Sequence, residues 1–261
     1  MSEMKEYEPS TFCWPELVAS DSEKAKEFYS NLFGWSITDV PIGDEQVYSM
    51  ASIGGKEVGA MYQMWPEQET GDVPTHWASY VSVRDVDEAA KKAETSGGQV
   101  IVGPMDVFDA GRMAALIDPA GAVLSLWQPM NHIGARLVNE HGALCWNELL
   151  TNDLKKSGEF YAALFGWTAS EQDMGGINYT VFMNGERPAG GMMEMDKQLG
   201  EMNPYWLVYF AVNDCDESAD KTSSLGGEVL SSPMDIPDIG RIAVLKDSQG
   251  AVFAVIKMFA K

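Results

Sequence analysis

Two short strings, Trp14-Pro15-Glu16-Leu17 and Trp146-Asn147-Glu148-Leu149, place a tryptophan two residues before a glutamate at positions 132 apart. In an extended chain, side chains two apart share a face, so each glutamate stands beside an indole. A carboxylate held against apolar rings has its pKa raised unless a cation compensates, which suits a general base or an anchor for an amine. Glu16 and Glu148 are therefore the candidate catalytic residues. The competing role is that of a structural acceptor for Arg112 or Arg241. Each of these arginines follows a glycine, where its guanidinium can clamp a carboxylate of the protein or of a ligand. The three histidines, His76, His132 and His141, have no partner at helical or strand spacing and read as surface or hydrogen-bonded side chains rather than metal ligands. Cys13, Cys145 and Cys215 form no CxxC pair and read as reduced structural thiols.

The elements that must hold these residues repeat. Phe12 to Trp35 aligns without gaps on Leu144 to Trp167, with 13 of 24 positions identical, and Pro104 to Ala122 aligns on Pro233 to Ala251, with 11 of 19 identical. Two homologous halves follow, spanning 8–129 and 141–259, with the turn-forming segment 129–142 as the junction. Within the first half, Phe12 to Ala19 is β-rich. Ser20 with Glu23 has the form of a capping box, Ala25, Phe28, Tyr29, Leu32 and Phe33 recur at helical spacing, and Gly34 ends the helix. Three short strands come next, near 35–40, 47–53 and 58–62, with Gly54-Gly55 as a hairpin turn. This βαβββ order restarts at Trp77, with Asp85 and Glu88 as a second capping box, a helix reaching Gly97-Gly98, and strands near 99–102, 112–118 and 122–128. Four such units fill the chain.

Composition narrows the function. With 39 acidic against 18 basic residues the net charge is −21, and no basic cluster offsets it, so nucleic acid is an unexpected partner. No apolar run is long enough to span a bilayer and the first ten residues contain no apolar signal region, so no membrane partner and a cytoplasmic location are expected.

The repeated βαβββ order, the strand-Asp-helix-Phe-Tyr-x-x-Leu-Phe-Gly-Trp opening and the closing Gly-Arg-x-Ala-x-x-x-Asp-Pro-x-Gly turn of the first half resemble the vicinal oxygen chelate (glyoxalase, bleomycin resistance protein and dioxygenase) superfamily, specifically its two-domain glyoxalase-like proteins. The resemblance implies an α+β fold in which the four units pair into two domains. Each domain is a curled mixed sheet forming a cup, with helices outside. It also implies metal ligands on the first and last strands of each unit, and by counting from the neighbouring motifs those places hold Trp14, Ala78 and Ser125 in the first half and Trp146, Leu207 and Ala254 in the second. None is a ligand for a hard or borderline divalent ion, so no metal and no other cofactor is expected. Trp14 in an inward place puts Glu16 in the cup, and Trp146 does the same for Glu148. Cys13 and Cys145 then face the helix layer, and Trp35, Trp77, Trp167 and Trp206 pack between sheet and helix. The expected lining comprises Trp14, Tyr48, Met61, Tyr80, Arg112, Ser125 and Trp127 in one half and Trp146, Tyr179, Tyr209 and Arg241 in the other, with Met50, Met192 and Met193 nearby. Such a soft aromatic cup suits a planar or cationic small organic molecule. The expected function is small-molecule binding in one or both cups. The alternative is an enzyme of the same superfamily, either metal-independent with a cup glutamate as base or a lyase or dioxygenase with a displaced metal site. With both halves in one chain, a monomer or a homodimer is expected.

Overall fold

The computed structural model describes residues 2–43, 46–71, 73–173, 178–195 and 203–259. A two-residue strand, β1 (Ser2–Glu3), precedes the first half. That half contains β2 (Thr11–Ala19), α1 (Ser22–Phe33), β3 (Ser36–Pro41), β4 (Val47–Ile53), β5 (Lys56–Gln63) and the short α2 (Pro66–Thr70). It continues with β6 (His76–Ser82), α3 (Val86–Thr95), β7 (Gln99–Val107), β8 (Gly111–Ile117) and β9 (Val123–Pro129). The junction carries β10 (Leu137–Val138), which pairs with β1. The second half contains β11 (Leu144–Thr151), α4 (Leu154–Phe165), β12 (Thr168–Asp173), β13 (Asn178–Asn184) and β14 (Arg187–Glu194). It ends with β15 (Tyr205–Ala211), α5 (Cys215–Ser224), β16 (Glu228–Ile236), β17 (Gly240–Lys246) and β18 (Val252–Met258). Among the described residues no helix is long and apolar enough to cross a membrane.

Each half forms one eight-stranded mixed sheet, ordered β3-β4-β5-β2-β6-β9-β8-β7 and β12-β13-β14-β11-β15-β18-β17-β16. The two units of a half meet where their first strands, β2 and β6 or β11 and β15, pair antiparallel at the sheet centre. This is the α+β architecture of four βαβββ units. The helices start as the sequence dictates, with one adjustment. Asp21, rather than Ser20, caps α1 by accepting from the Lys24 amide, and Asp85, Asp153 and Asp214 cap α3, α4 and α5 in the same way. Gly34 and Gly166 end α1 and α4 at φ of 74° and 75°, a left-handed conformation that glycine adopts without steric cost.

The core is shared between the halves. α1 and the backs of β2 and β6 pack with β17, β18 and α5 in one cluster, and α4 with α3, β8 and β9 form the other. The repeated tryptophans belong to these shared clusters rather than to a layer within one half. Trp35 donates to the Gly142 carbonyl and Trp167 to the Ser10 carbonyl, so each reaches the chain entering the opposite half. The tyrosine of the Phe-Tyr-x-x-Leu-Phe-Gly-Trp helix does likewise. Tyr29 accepts from Trp77 Nε1 at 2.9 Å and donates to Asp247 of the second half at 3.0 Å, while Tyr161 accepts from Trp206 and donates to Asp118 of the first. At the centre, Ser79 donates to Asn147 across the contact at 2.6 Å.

Candidate functional site

The face of each sheet turned away from this core is the cup. On β2, a β-bulge between Phe12 and Trp14 shifts the register. Phe12 enters the shared core, whereas Cys13 and Trp14 both join the cup-side cluster with Ala60, Tyr80 and Trp127. The same irregularity between Leu144 and Trp146 brings Cys145 to the cup side with Leu207, Tyr209 and Ala254. The expectation that Cys13 and Cys145 face the helix layer is thus corrected, because the extra residue breaks the two-residue alternation. Burial pushes both thiols up.

Glu16 and Glu148 lie on the cup side, 8 % and 7 % exposed, and their partners are tyrosines. Tyr48 donates to Glu16 Oε2 at 2.6 Å, Tyr80 donates to Oε1 at 2.8 Å, and Trp14 Nε1 donates to the Tyr48 hydroxyl at 3.0 Å. In the second half Tyr209 donates to Glu148 Oε1 at 2.9 Å, Tyr179 is also hydrogen-bonded to Glu148, and Trp146 Nε1 donates to the Tyr179 hydroxyl at 2.9 Å. Burial raises the pKa of both carboxyls, and the tyrosine hydroxyls pull it only partly back. The tyrosines are pushed up in turn by burial and by the adjacent carboxylate, so they remain proton donors.

The other expected lining residues divide. Ser125 and Trp127 stand beside Tyr80 and Val81's neighbour Ser82 in the register between β6 and β9, and Trp127 belongs to the cup-side cluster. Met50 also packs there. Met61 does not, being fully buried in the shared core with Leu17, and Met192 sits in the other core cluster. Alternation along β5 turns Met61 to the back of the sheet. The arginines are corrected as well. On β8, Met113 is the residue that packs in the cup, so its neighbour Arg112 emerges on the helical side. There Arg112 pairs with Asp87 at 2.7 Å and Asp106 at 2.7 Å, and Arg241 pairs with Asp216 at 2.6 Å and Asp235 at 2.9 Å. They fasten helix α3 or α5 to a hairpin, and the glutamates take tyrosine hydroxyls instead.

Two residues at the first cup escaped the sequence reading. Tyr62, the residue after Met61, stacks with Tyr48 at a centroid distance of 6.4 Å, and its hydroxyl accepts from Gln68 of α2. His132 of the junction is not a surface side chain. Its ring meets Trp14 edge-on at 4.6 Å and Trp127 at 6.0 Å. Only the alternation on β5 pointed to Tyr62, and no local pattern pointed to His132. His76 Nδ1 lies 2.7 Å from the Pro74 carbonyl, and His141 Nδ1 accepts from the Asn213 amide. Two solvent-open depressions of about 380 and about 570 Å³ lie on the helical side, one beside Pro119 and Phe160, the other along α1. Neither contains a converging polar set like the glutamate–tyrosine unit.

This fold and its twice-repeated glutamate–tyrosine face define a class. The chain belongs to the Glyoxalase/Bleomycin resistance protein/Dioxygenase superfamily, whose family model matches residues 12–126 and 131–255. CFP32 of Mycobacterium tuberculosis, provisionally named a glyoxylase, is 44 % identical over 259 residues, covering 98 % of both chains. The anthracycline biosynthesis protein DnrV of Streptomyces peucetius is 34 % identical over 265 residues, covering 98 % of this chain and 96 % of DnrV. Two solved structures share the fold. The Mn(II)-bound glyoxalase of Novosphingobium aromaticivorans superposes with a TM-score of 0.67 at 13 % identity, covering 95 % of this chain and 82 % of that one. The 2,3-dioxygenase LapB of Pseudomonas sp. KL28 gives 0.66 at 12 %, with 96 % and 92 % covered.

A divalent metal of the kind that glyoxalase binds does not fit the donors in these cups. The cup glutamates already accept hydrogen bonds from tyrosine hydroxyls. Trp14 and Trp146, at the places where the resemblance puts first-strand ligands, both direct their N–H at a tyrosine. Among the described residues no three His, Cys, Asp or Glu side chains come together as a metal-holding group.

Proposed function

We propose that the protein binds a small, flat organic molecule in the cup of one or both halves without a divalent metal. The carboxylate of Glu16 or Glu148 acts as the polar anchor. The observation that carries this reading is the buried Trp–Tyr–Glu–Tyr unit, made twice from equivalent residues where a metal site would need imidazoles and carboxylates. A ligand N–H or O–H can be accepted by a carboxylate that burial has already made more basic, while the surrounding rings and aliphatic side chains cover its faces. The net charge of −21 favours a neutral or cationic molecule over an anionic one.

A second reading rests on the same raised carboxyl. A glutamate with an elevated pKa, flanked by a tyrosine able to donate, can take a proton from a bound substrate and return it elsewhere. Binding is common to both readings and is tested first. Quinizarin, a neutral hydroxyanthraquinone suggested by the anthracycline relative, is titrated while tryptophan fluorescence is recorded, and the metal content of the same sample is measured. Saturable quenching is expected, weakened about tenfold or more by Glu16→Gln with Glu148→Gln, since a hydrogen bond to a charged group contributes about 1.5–3 kcal/mol. Unchanged binding by the double variant, or a stoichiometric metal whose chelation abolishes binding, overturns the proposal.

A further inference from the structure

The two cups repeat the same polar unit but are not equally covered. In the first half, Trp14 is 5 % exposed and Cys13 is fully buried. In the second, Trp146 and Cys145 are both half-buried, as are Leu150, Tyr205, Ile242, Val244 and Val252 around them. The cover over the first cup is the junction itself. The His132 amide donates to Ala110, its carbonyl accepts from Trp127 Nε1 at 2.9 Å, and the Ala135 amide donates to the Cys13 carbonyl at 2.8 Å. Tyr7 donates to the Ala135 carbonyl at 2.7 Å and joins the same cluster. Gly134, at φ 105°, allows the approach, because a Cβ there would collide with the Cys13 backbone. The result is an imidazole seated between Trp14 and Trp127, its Nε2 buried without a hydrogen-bond partner and 3.6 Å from Glu57. Among the described residues no ring lies on Trp146 as His132 lies on Trp14.

Resting on the cup-binding reading above, we propose that the cups are unequal. The C-terminal cup takes one flat heteroaromatic ligand per chain against Trp146, in the manner in which the N-terminal cup already holds its own His132. The junction thus acts as an internal ligand, and its chemistry identifies the class that the open cup recognises. That class is a planar, nitrogen-containing ring whose edge meets the indole and whose donor can reach the Glu148 unit. In place of the second aromatic wall, Trp127, the open cup has Ile256, so the ligand is gripped between an indole and an aliphatic surface.

The test uses benzimidazole as the probe and the indole N–H resonances of the full chain as the readout. Trp14→Phe and Trp146→Phe assign the two cup signals. In the unaltered protein, benzimidazole is expected to shift the Trp146 signal saturably and leave that of Trp14 in place. In His132→Ala both signals are expected to move and the stoichiometry to rise from one to two, whereas His132→Phe keeps the first cup closed. Circular dichroism of each variant verifies folding. If both signals move in the unaltered protein, or only that of Trp14 moves, the inequality is wrong while the cup-binding reading survives. If Trp146 responds but His132→Ala does not open the first cup, the internal-ligand assignment is overturned. If neither signal moves while quinizarin still quenches saturably, this inference is overturned and the cup-binding reading survives; if neither probe binds, both fall.

Discussion

Replacing Tyr29 with phenylalanine removes one oxygen from the fully buried contact between the halves and leaves two polar groups without partners. Trp77 Nε1 loses its acceptor, and Asp247 Oδ2 loses the hydroxyl that donates to it, while Oδ1 keeps the amides of Gln249 and Ala251. Each of the two buried orphans costs about 1–3 kcal/mol, so Tyr29→Phe is expected to lose about 2–6 kcal/mol of stability. Tyr161→Phe is expected to lose less, about 1–3 kcal/mol, because Asp118 keeps the Ser157 hydroxyl as a donor and only the Trp206 N–H is stranded. The assay is urea unfolding followed by tryptophan fluorescence and far-ultraviolet circular dichroism. The two probes are expected to coincide in one transition, because both apolar clusters draw on both halves. A pH series supplies an independent check. Burial already raises the Asp247 pKa and the Tyr29 hydroxyl opposes that rise, so the variant's carboxyl is raised further above its unfolded value. A carboxyl raised by folding stabilises below its unfolded pKa and loses that contribution as pH climbs through the folded one. The deficit of Tyr29→Phe should therefore be largest at neutral pH and shrink on acidification. A cost below about 0.5 kcal/mol, a larger cost for Tyr161→Phe, or a deficit that grows on acidification refutes the reasoning.

The cup carboxyls obey the same sign rule. Both are raised by burial, so Glu16→Gln and Glu148→Gln are expected to be more stable than the parent at alkaline pH, an advantage that fades as pH falls towards the carboxylate range; differential scanning fluorimetry across pH measures it. Maleimide labelling of the native chain, read by peptide mass spectrometry, is expected to modify Cys145 before Cys13 or Cys215. The first is half-buried at the open cup, whereas the others are fully buried. Labelling of Cys13 at an equal rate would mean that the junction does not cover the first cup.

The sequence by itself determined the duplication, the order of the elements and the fold family. These reside in local signals: the Asp caps, the Gly34 and Gly166 stops, the helical spacing of Phe28, Tyr29, Leu32 and Phe33, and strand alternation. The pairing of Trp14 with Glu16 on one face was legible for the same reason, since two-residue periodicity is a property of the chain alone. What the alternation could not convey was its own interruption. One bulged residue in β2 and one in β11 moved Cys13 and Cys145 to the other face, and a phase misjudged by one residue put Met61 in place of Tyr62 and Arg112 in place of Met113. The partners of Glu16 and Glu148 come from strands that only the folded sheet brings together, so Tyr48 and Tyr80 are visible in the sequence as aromatics but not as hydrogen-bond donors. The crossing of Tyr29 to Asp247 and the seating of His132 on Trp14 connect residues more than a hundred positions apart, and Tyr161 crosses to Asp118 in the other half. Such contacts follow from how two curved sheets stack and where the junction is led between them, and no pattern within a window of sequence encodes that.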